Sequence, residues 1–250
     1  MTLPQHLVPS LDGVGVGSAV VVEGDEAHHA VVVRRLRVGE RLLLADGLGR
    51  VATGEVSATT KRSFTALVTE VRDEPEPRPR VTVVQALPKG DRGELAVEVL
   101  TEIGAARIVP WAAARSVAVW KGERAAKSHA KWQATAREAA KQARRAWHPT
   151  VPPLATTDDV TALVGAADVA IVLHEDATEP IGALALPDDG ELVVIVGPEG
   201  GLTEEEVATF VGRGAVAVRL GAEVLRTSTA GVAAVAAVLA RTSRWGGLTS

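Results

Sequence analysis

The sequence contains no cysteine, no long apolar run and no excess of positive charge. The lack of cysteine excludes disulfide bonds, thiolate zinc sites and a cysteine nucleophile. No run of about 18 apolar residues is present, so we expect no transmembrane helix and no membrane partner. Residues 1–10 lack the basic and apolar pattern of a secretion signal, which predicts a cytoplasmic protein. Because the formal net charge is −4, a nucleic-acid-binding surface would have to be a local patch.

The apolar content is 46% of 250 residues, enough for the core of one large domain or two small ones. Residues 1–72 contain short apolar segments broken by turn signals such as Asp46-Gly47, a pattern that predicts a small β-barrel with a short helix at residues 26–30. Prolines at positions 75, 77 and 79 oppose both helix and interior strand. We therefore expect residues 73–80 to form a linker.

From residue 81 onward, short buried strands alternate with helical segments, which predicts a parallel α/β domain over residues 81–250. The expected strands are 81–87, 107–111, 169–173, 192–196 and 216–220. The expected helices are 91–103, 122–147 and 228–241. In the first helix, Leu95, Val99 and Ile103 recur at helical spacing and are expected to form its buried face.

Two segments are locally basic. Residues 121–145 carry eight Lys or Arg residues against Glu123 and Glu138, in a chain that is acidic as a whole. Such a charge run is often only a solvated helix face, but the reversal of sign favours a surface that binds RNA. The predicted barrel also carries Arg34, Arg35, Arg37 and Arg41. These arginines form either an exposed face or a patch that contacts phosphates.

The most informative stretch is Val193–Glu206, in which β-branched residues are followed by G-P-E-G-G and then by a helix start. Thr203 and Glu206 have the spacing of a capping box. A second strand ends at Leu220-Gly221 and is followed by an alanine-rich helix. Neither stretch has the G-x-G-x-x-G or the P-loop spacing. Each alone is consistent with a plain packing turn, and the pair favours a site that presents backbone N–H groups to a polar ligand.

The sequence GPEGGLTEEE, followed near the end by LGAEVLRTSTA, resembles the SPOUT superfamily of knotted methyltransferases. Within this superfamily, these motifs are similar to those of the 16S ribosomal RNA uridine-N3 methyltransferase family. Further matching stretches are HHAVVVRRLRVGERLLLADGLGR, ALPKGDRGELAVEVLTEIGA, RSVAVW, REAAKQARRAWHP and VLHE, which together extend over nearly the whole chain. The chain departs from the family pattern at Ser228, where glutamate is usual, and at Val99, where lysine is common.

The resemblance implies an N-terminal PUA-like β-barrel and a C-terminal SPOUT α/β domain with a deep trefoil knot. It also implies a homodimer that binds S-adenosylmethionine, acts on 16S ribosomal RNA of the small ribosomal subunit and uses no metal. The residues implied to bind the cofactor are Leu173, His174, Glu175, Gly197, Pro198, Glu199, Gly200, Gly201, Leu220, Gly221, Val224, Leu225, Arg226 and Thr227. Those implied to bind RNA are Arg34, Arg35, Arg37, Lys89, Arg115, Lys141, Arg144 and Arg145.

Methylation at uridine N3 needs a group that removes the imide proton or stabilises the resulting anion. In this reading Arg226 stabilises negative charge on the uracil, and Glu199 accepts the proton. His174 is a further candidate acceptor, and both it and Glu199 could instead only shape the cofactor loop. Two other functions stay open from the sequence: methylation of a ribose 2′-hydroxyl by a related knotted enzyme, and a non-catalytic RNA-binding assembly factor.

Overall fold

The computed structural model describes residues 3–246, which form two compact units. The first unit contains the residues up to Glu76 together with residues 140–148. The second contains residues 77–139 and the residues from Pro149 onward. The return of residues 140–148 to the first unit has no counterpart in the sequence pattern, because that segment continues the helical composition before it.

The first unit is built on a five-stranded sheet with the order β1-β3-β4-β5-β2. Its neighbouring strands are antiparallel except for the parallel pair β1 and β3. Alternating side chains from these strands, such as Leu42, Leu44 and Phe64, are buried in one core. The strands are β1 (Gln5–Leu7), β2 (Ala19–Glu23), β3 (Arg41–Ala45), β4 (Arg50–Thr59) and β5 (Ser63–Asp73).

The predicted turn and short helix of this unit are both present. A carboxylate oxygen of Asp46 accepts the backbone N–H groups of Leu48 and Arg50 at 2.7 and 3.2 Å, which closes the turn between β3 and β4. Helix α1 (Gly24–His28) is followed by one π-helical turn, His29–Val33. Strand β1 was not predicted, because three residues are too few to show an alternating pattern.

The second unit is built on a six-stranded parallel sheet with the order β7-β6-β10-β8-β11-β9. The strands are β6 (Arg80–Ala86), β7 (Arg107–Trp111), β8 (Val169–Leu173), β9 (Glu179–Pro180), β10 (Glu191–Val196) and β11 (Val216–Arg219). The helices are α2 (Arg92–Ile103), α3 (Glu123–Gln142), α4 (Thr157–Ala166), α5 (Glu204–Gly212), α6 (Thr227–Leu239) and α7 (Ser243–Gly246). The expected parallel α/β domain is thus confirmed, while α4 and the two-residue edge strand β9 were not predicted.

Both faces of this sheet are covered, as a buried parallel sheet requires. In β10, Val194 and Val196 face a core shared with α2 and α6, whereas Val193 and Ile195 face a core shared with α4 and α5. Helix α6 approaches closely because it is rich in small residues. A β-carbon added at Gly231 would lie 3.2 Å from a methyl group of Leu100.

Two helix predictions were wrong in detail. The buried face of α2 contains Ala96, Val97 and Leu100 rather than Leu95, which is 46% exposed. The buried positions 93, 96, 97, 100 and 101 follow the i, i+3, i+4 spacing of one helix face, and Leu100 on that face packs against Gly231 of α6. Helix α3 ends at Gln142 rather than at residue 147. The chain turns at Arg144, whose φ of 53° is left-handed and incompatible with a continuing helix.

Candidate functional site

The second unit contains a cavity of about 620 Å³ at the carboxyl ends of β8, β10 and β11. Ligands of open α/β sheets bind at this edge, and the volume is in the usual range for small-molecule sites. Every residue that the family resemblance assigned to the cofactor lines this cavity. The structure therefore brings these residues together, while their roles stay a prediction. The lining also includes residues that were not assigned to the cofactor, among them Arg92, Arg115, Asp176, Arg219 and Glu223.

The first wall of the cavity is the loop from Gly197 to Thr203, which we call the glycine loop. It turns where the N–H of Gly201 donates to the carbonyl of Pro198 at 2.9 Å, and Gly201 has a φ of +72° that favours glycine. At the other end, the predicted capping box is confirmed: the hydroxyl of Thr203 accepts the N–H of Glu206, and the carboxylate of Glu206 accepts the N–H of Thr203. The loop is therefore fixed at its helical end.

Glu199 lies at the tip of the glycine loop and is held by the loop that follows β6. Its Oε1 accepts the backbone N–H of Lys89 at 3.1 Å and lies 3.5 Å from Nη1 of Arg92. One carboxylate oxygen is thus already engaged by a donor and a cation. These contacts give Glu199 a role in fixing the loop tip. If Glu199 also accepts a proton, the same carboxylate performs both roles.

His174 follows β8 directly. Its Nδ1 accepts the backbone N–H of Asp176 at 3.3 Å. A backbone N–H can only donate, so in the neutral imidazole the proton lies on Nε2. This contact gives the ring a part in shaping the turn that follows β8.

Arg226 is the N-cap residue of α6 and makes no side-chain capping bond. Its carbonyl accepts the N–H groups of Thr229 and Ala230 at 2.8 and 2.9 Å, so its backbone is part of the helix start. The residue is exposed on the cavity lining. Within residues 3–246 its guanidinium makes no hydrogen bond or ion pair, which leaves its donors available to a ligand. A cation at a helix N-terminus opposes the helix dipole, so this placement needs another reason.

Comparison with known proteins identifies the family. A model of the RNA methyltransferase domain matches residues 74–239, and a model of the RNA methyltransferase PUA domain matches residues 22–69. The chain is 48% identical over 233 residues to ribosomal RNA small subunit methyltransferase E of Mycobacterium bovis, covering 92% of this chain and 89% of that protein. The chain belongs to the ribosomal RNA small subunit methyltransferase E family.

Matches to two other members of this family support the assignment. The Bacillus subtilis protein is 32% identical over 225 residues, which cover 87% of this chain and 88% of that protein. The crystal structure of the Neisseria gonorrhoeae protein bound to S-adenosyl methionine matches with a TM-score of 0.86 and 28% identity, covering 96% of this chain and 98% of that one. The predicted PUA-like and SPOUT-type fold is therefore confirmed.

The residues that the methyltransferase E resemblance assigned to RNA lie in different surroundings. Arg34, Arg35, Arg37 and Arg144 are exposed in the first unit. Arg145 is half-buried, and its carbonyl accepts a hydrogen bond from the side chain of Gln5 at 3.0 Å. The four exposed arginines stay candidates for phosphate contacts.

Lys141 and Arg115, which the resemblance also assigned to RNA, have partners within their own units. The side chain of Lys141 is only 10% exposed, and its Nζ lies 2.7 Å from Oε2 of Glu26. Its charge neutralises a carboxylate inside the first unit, so we no longer propose a phosphate contact there. Arg115 donates from Nη1 to the carbonyls of Gly200 and Leu202, both at 3.2 Å. Sequence reasoning missed these internal partners because they are distant along the chain.

Residues 3–246 contain no group of three or more His, Cys, Asp or Glu residues placed to hold a metal ion. None of the helices in the same range is both long and apolar enough to cross a membrane.

Proposed function

We propose that this chain transfers a methyl group from S-adenosylmethionine to N3 of a uridine in the 16S ribosomal RNA of the small ribosomal subunit. The observation that carries the proposal is the convergence of two glycine-containing loops on one cavity with Arg226 at its edge, in a member of the methyltransferase E family. These are the glycine loop and the loop that follows β11, residues 220–226. The choice of uridine as substrate and of N3 as the methylated atom rests on the family resemblance. The proposed substrate places the reaction in the cytoplasm.

The cavity fits the cofactor chemically. Apolar side chains of Leu173, Val196 and Leu220 offer a surface for an adenine ring. The carboxylates of Glu175 and Glu223, both exposed at the cavity, can accept hydrogen bonds from ribose hydroxyls or from an ammonium group. Loops that contain glycine allow close approach of a ligand to their backbone. These features support S-adenosylmethionine as the bound group.

When bound, S-adenosylmethionine supplies a methyl group that is already activated by its sulfonium. The remaining chemical problem is the nucleophile, because the N3 imide of uridine is mostly protonated at neutral pH. The side chains must therefore position the base and stabilise negative charge as the proton leaves. We assign this stabilisation to Arg226, whose planar guanidinium has free donors at the cavity.

We propose Glu199 as the proton acceptor. The second carboxylate oxygen of Glu199, which has no hydrogen bond within residues 3–246, supports a role in accepting the proton directly or through water. We assign His174, whose Nδ1 accepts a backbone N–H, to shaping the cofactor loop. N3 lies on the Watson–Crick edge, so the target base must be unpaired or flipped out to reach these groups.

We further propose a homodimer, with the two glycine-containing loops forming the trefoil knot implied by the family. Val224 and Leu225 line the cavity and are 75% and 40% exposed. Apolar side chains exposed beside a ligand site support a covering surface from a second subunit. A monomeric mass by light scattering at micromolar concentration would contradict this part of the proposal.

The function is tested by primer extension on 16S ribosomal RNA from a strain lacking this protein, before and after treatment with the purified protein and S-adenosylmethionine. An N3-methyl group blocks base pairing and stops reverse transcriptase at the modified uridine. Nuclease digestion and mass spectrometry then distinguish a methylated base from a methylated ribose. A ribose product would favour the 2′-hydroxyl alternative, and a protein that binds RNA but not S-adenosylmethionine would favour the assembly-factor alternative.

A further inference from the structure

The glycine loop is tied to the loop that follows β7 by the carboxylate of Glu206. This side chain is 4% exposed, although it belongs to a surface helix. Its Oε2 accepts the N–H of Thr203 at 2.9 Å, and its Oε1 accepts the N–H of Ala114 at 2.8 Å. One carboxylate therefore joins the end of the glycine loop to a segment 92 residues away in the chain.

Arg115, the neighbour of Ala114, makes the reciprocal connection. Its Nη1 donates to the carbonyls of Gly200 and Leu202, both at 3.2 Å. The backbones are also in close contact, because a β-carbon added at Gly200 would lie 3.2 Å from the β-carbon and 3.4 Å from the carbonyl oxygen of Arg115. The two loops are thus held together by a buried carboxylate, a guanidinium and steric fit.

Helix capping does not account for the second contact of Glu206. Helix α4 begins with the same kind of capping box, in which Thr156 and Asp159 exchange their hydrogen bonds. The carboxylate of Asp159 bonds only to Thr156 among the described residues, at 2.7 and 2.9 Å. The contact from Glu206 to Ala114 is therefore additional to what a helix start requires, and it connects two loops on the cavity side of the sheet.

We propose that Glu206 and Arg115 are positioning residues, which hold the glycine loop in the conformation that binds the cofactor. This inference rests on the proposed function, since it concerns the affinity of the same cavity for S-adenosylmethionine. Neither side chain needs to touch the reacting atoms. Glu206 acts through the backbone of Thr203 and Ala114, and Arg115 acts through the carbonyls of the glycine loop.

The proposal has a defined kinetic signature. When the connection is broken, the loop is in its binding conformation for only part of the time, and the apparent dissociation constant rises by the inverse of that fraction. Saturating cofactor selects the binding conformation again. The KM for S-adenosylmethionine should therefore rise while kcat at saturating cofactor stays close to the original value.

The test uses Glu206→Gln in the full chain, with Asp159→Asn as the matched control. The glutamine keeps one acceptor oxygen, so the helix cap or the loop contact survives, but not both. We expect the Kd for S-adenosylmethionine by calorimetry to rise about tenfold in Glu206→Gln, within the usual range of coupling between sites. Asp159→Asn weakens a helix cap of the same kind, and its Kd should be unchanged.

Arg115→Ala and the double variant Arg115→Ala/Glu206→Gln complete the experiment. If both side chains serve one connection, their effects on the Kd are not additive, and the double variant is little weaker than the weaker single variant. Equal Kd values in the original protein and both single variants would overturn the inference. Failure of the original protein to bind S-adenosylmethionine would instead overturn the proposed function, so the two failures are distinguishable.

Discussion

The ammonium of Lys141 lies 2.7 Å from a carboxylate oxygen of Glu26, and both side chains are largely buried in the first unit. The other oxygen of Glu26 lies 2.9 Å from Nδ1 of His6. Burial by itself would raise the pKa of Glu26, but the hydrogen bonds and charges of His6 and Lys141 outweigh it and lower the pKa. Lys141 belongs to residues 140–148, so this ion pair fastens that segment within the unit.

Glu26→Gln should destabilise the first unit near neutral pH by roughly 1 kcal/mol, since Lys141 loses its charged partner in a site that water partly screens. A carboxyl group with a lowered pKa stabilises the fold above the ordinary pKa that it has in the unfolded chain, and this contribution is lost as the pH falls through the folded pKa. Thermal unfolding curves should therefore show a lower melting temperature for the variant than for the original protein at pH 7. At acidic pH the two melting temperatures should converge.

Glu23→Gln is the matched control, because the side chain of Glu23 is exposed and makes no hydrogen bond or ion pair within residues 3–246. Its unfolding curve should follow that of the original protein at both pH values. A Glu26→Gln variant with an unchanged melting temperature at pH 7 would show that the ion pair does not stabilise the segment.

The same ion pair is a contact that the sequence pattern could not predict. The composition of residues 121–145 predicts a basic helix, and α3 is present, but the pattern treats all its cations alike. Which of them face solvent depends on contacts between distant residues, such as the 115 positions that separate Lys141 from Glu26. Local charge patterns describe a segment, whereas the partners of each charge are set by the tertiary fold.

Gly200→Val should abolish binding of S-adenosylmethionine without unfolding the second unit. The added side chain would begin 3.2 Å from the β-carbon of Arg115, so the glycine loop must move away from its partner. Calorimetry measures the loss of binding, and circular dichroism checks the fold. Gly212→Ala is the matched control, since a β-carbon at Gly212 meets no atom within 4 Å. Unchanged affinity in Gly200→Val would remove the glycine loop from the cofactor site.

The cavity itself was more predictable than the contacts around it. The glycine loop and the Leu220–Thr227 stretch carry recognisable residues after buried strands, and parallel strands bring their carboxyl ends to one edge. The sequence did not indicate that Glu206 and Arg115 connect two loops, because the capping-box spacing already accounts for Glu206 and the family pattern suggested RNA for Arg115. A local motif predicts only the contacts that a residue makes with its sequence neighbours. A second contact with a distant loop is visible only in the folded structure.

Charge reversal at Arg34 and Arg37 should weaken RNA binding and reduce its dependence on salt. Both side chains are exposed in the first unit. Each lost phosphate contact should lower the slope of log K against log salt by roughly 0.7 to 0.9. Filter binding at several salt concentrations measures the slope, and the affinity for S-adenosylmethionine should not change. Lys141→Met provides the contrast, because its buried ammonium should contribute nothing to the slope.

Arg226→Ala should lower kcat strongly while leaving the affinity for S-adenosylmethionine nearly unchanged. If the guanidinium stabilises the uracil anion, its contribution is largest in the transition state. Loss of one such contact typically costs ~10²–10³ in rate. Single-turnover methylation of ribosomal RNA measures the chemical step, and calorimetry measures cofactor binding.

The conservative variant and the pH dependence decide between a catalytic and a cofactor-binding role for Arg226. Arg226→Lys should restore only part of the rate, because a point charge does not reproduce a planar pair of donors. Raising the pH should partly rescue Arg226→Ala, since a larger fraction of the uracil is then already ionised without help from the guanidinium. A variant that loses cofactor affinity and shows no rescue at high pH would place Arg226 in the cofactor pocket. The catalytic role would then pass to Glu199, whose free oxygen is the remaining candidate at the tip of the glycine loop.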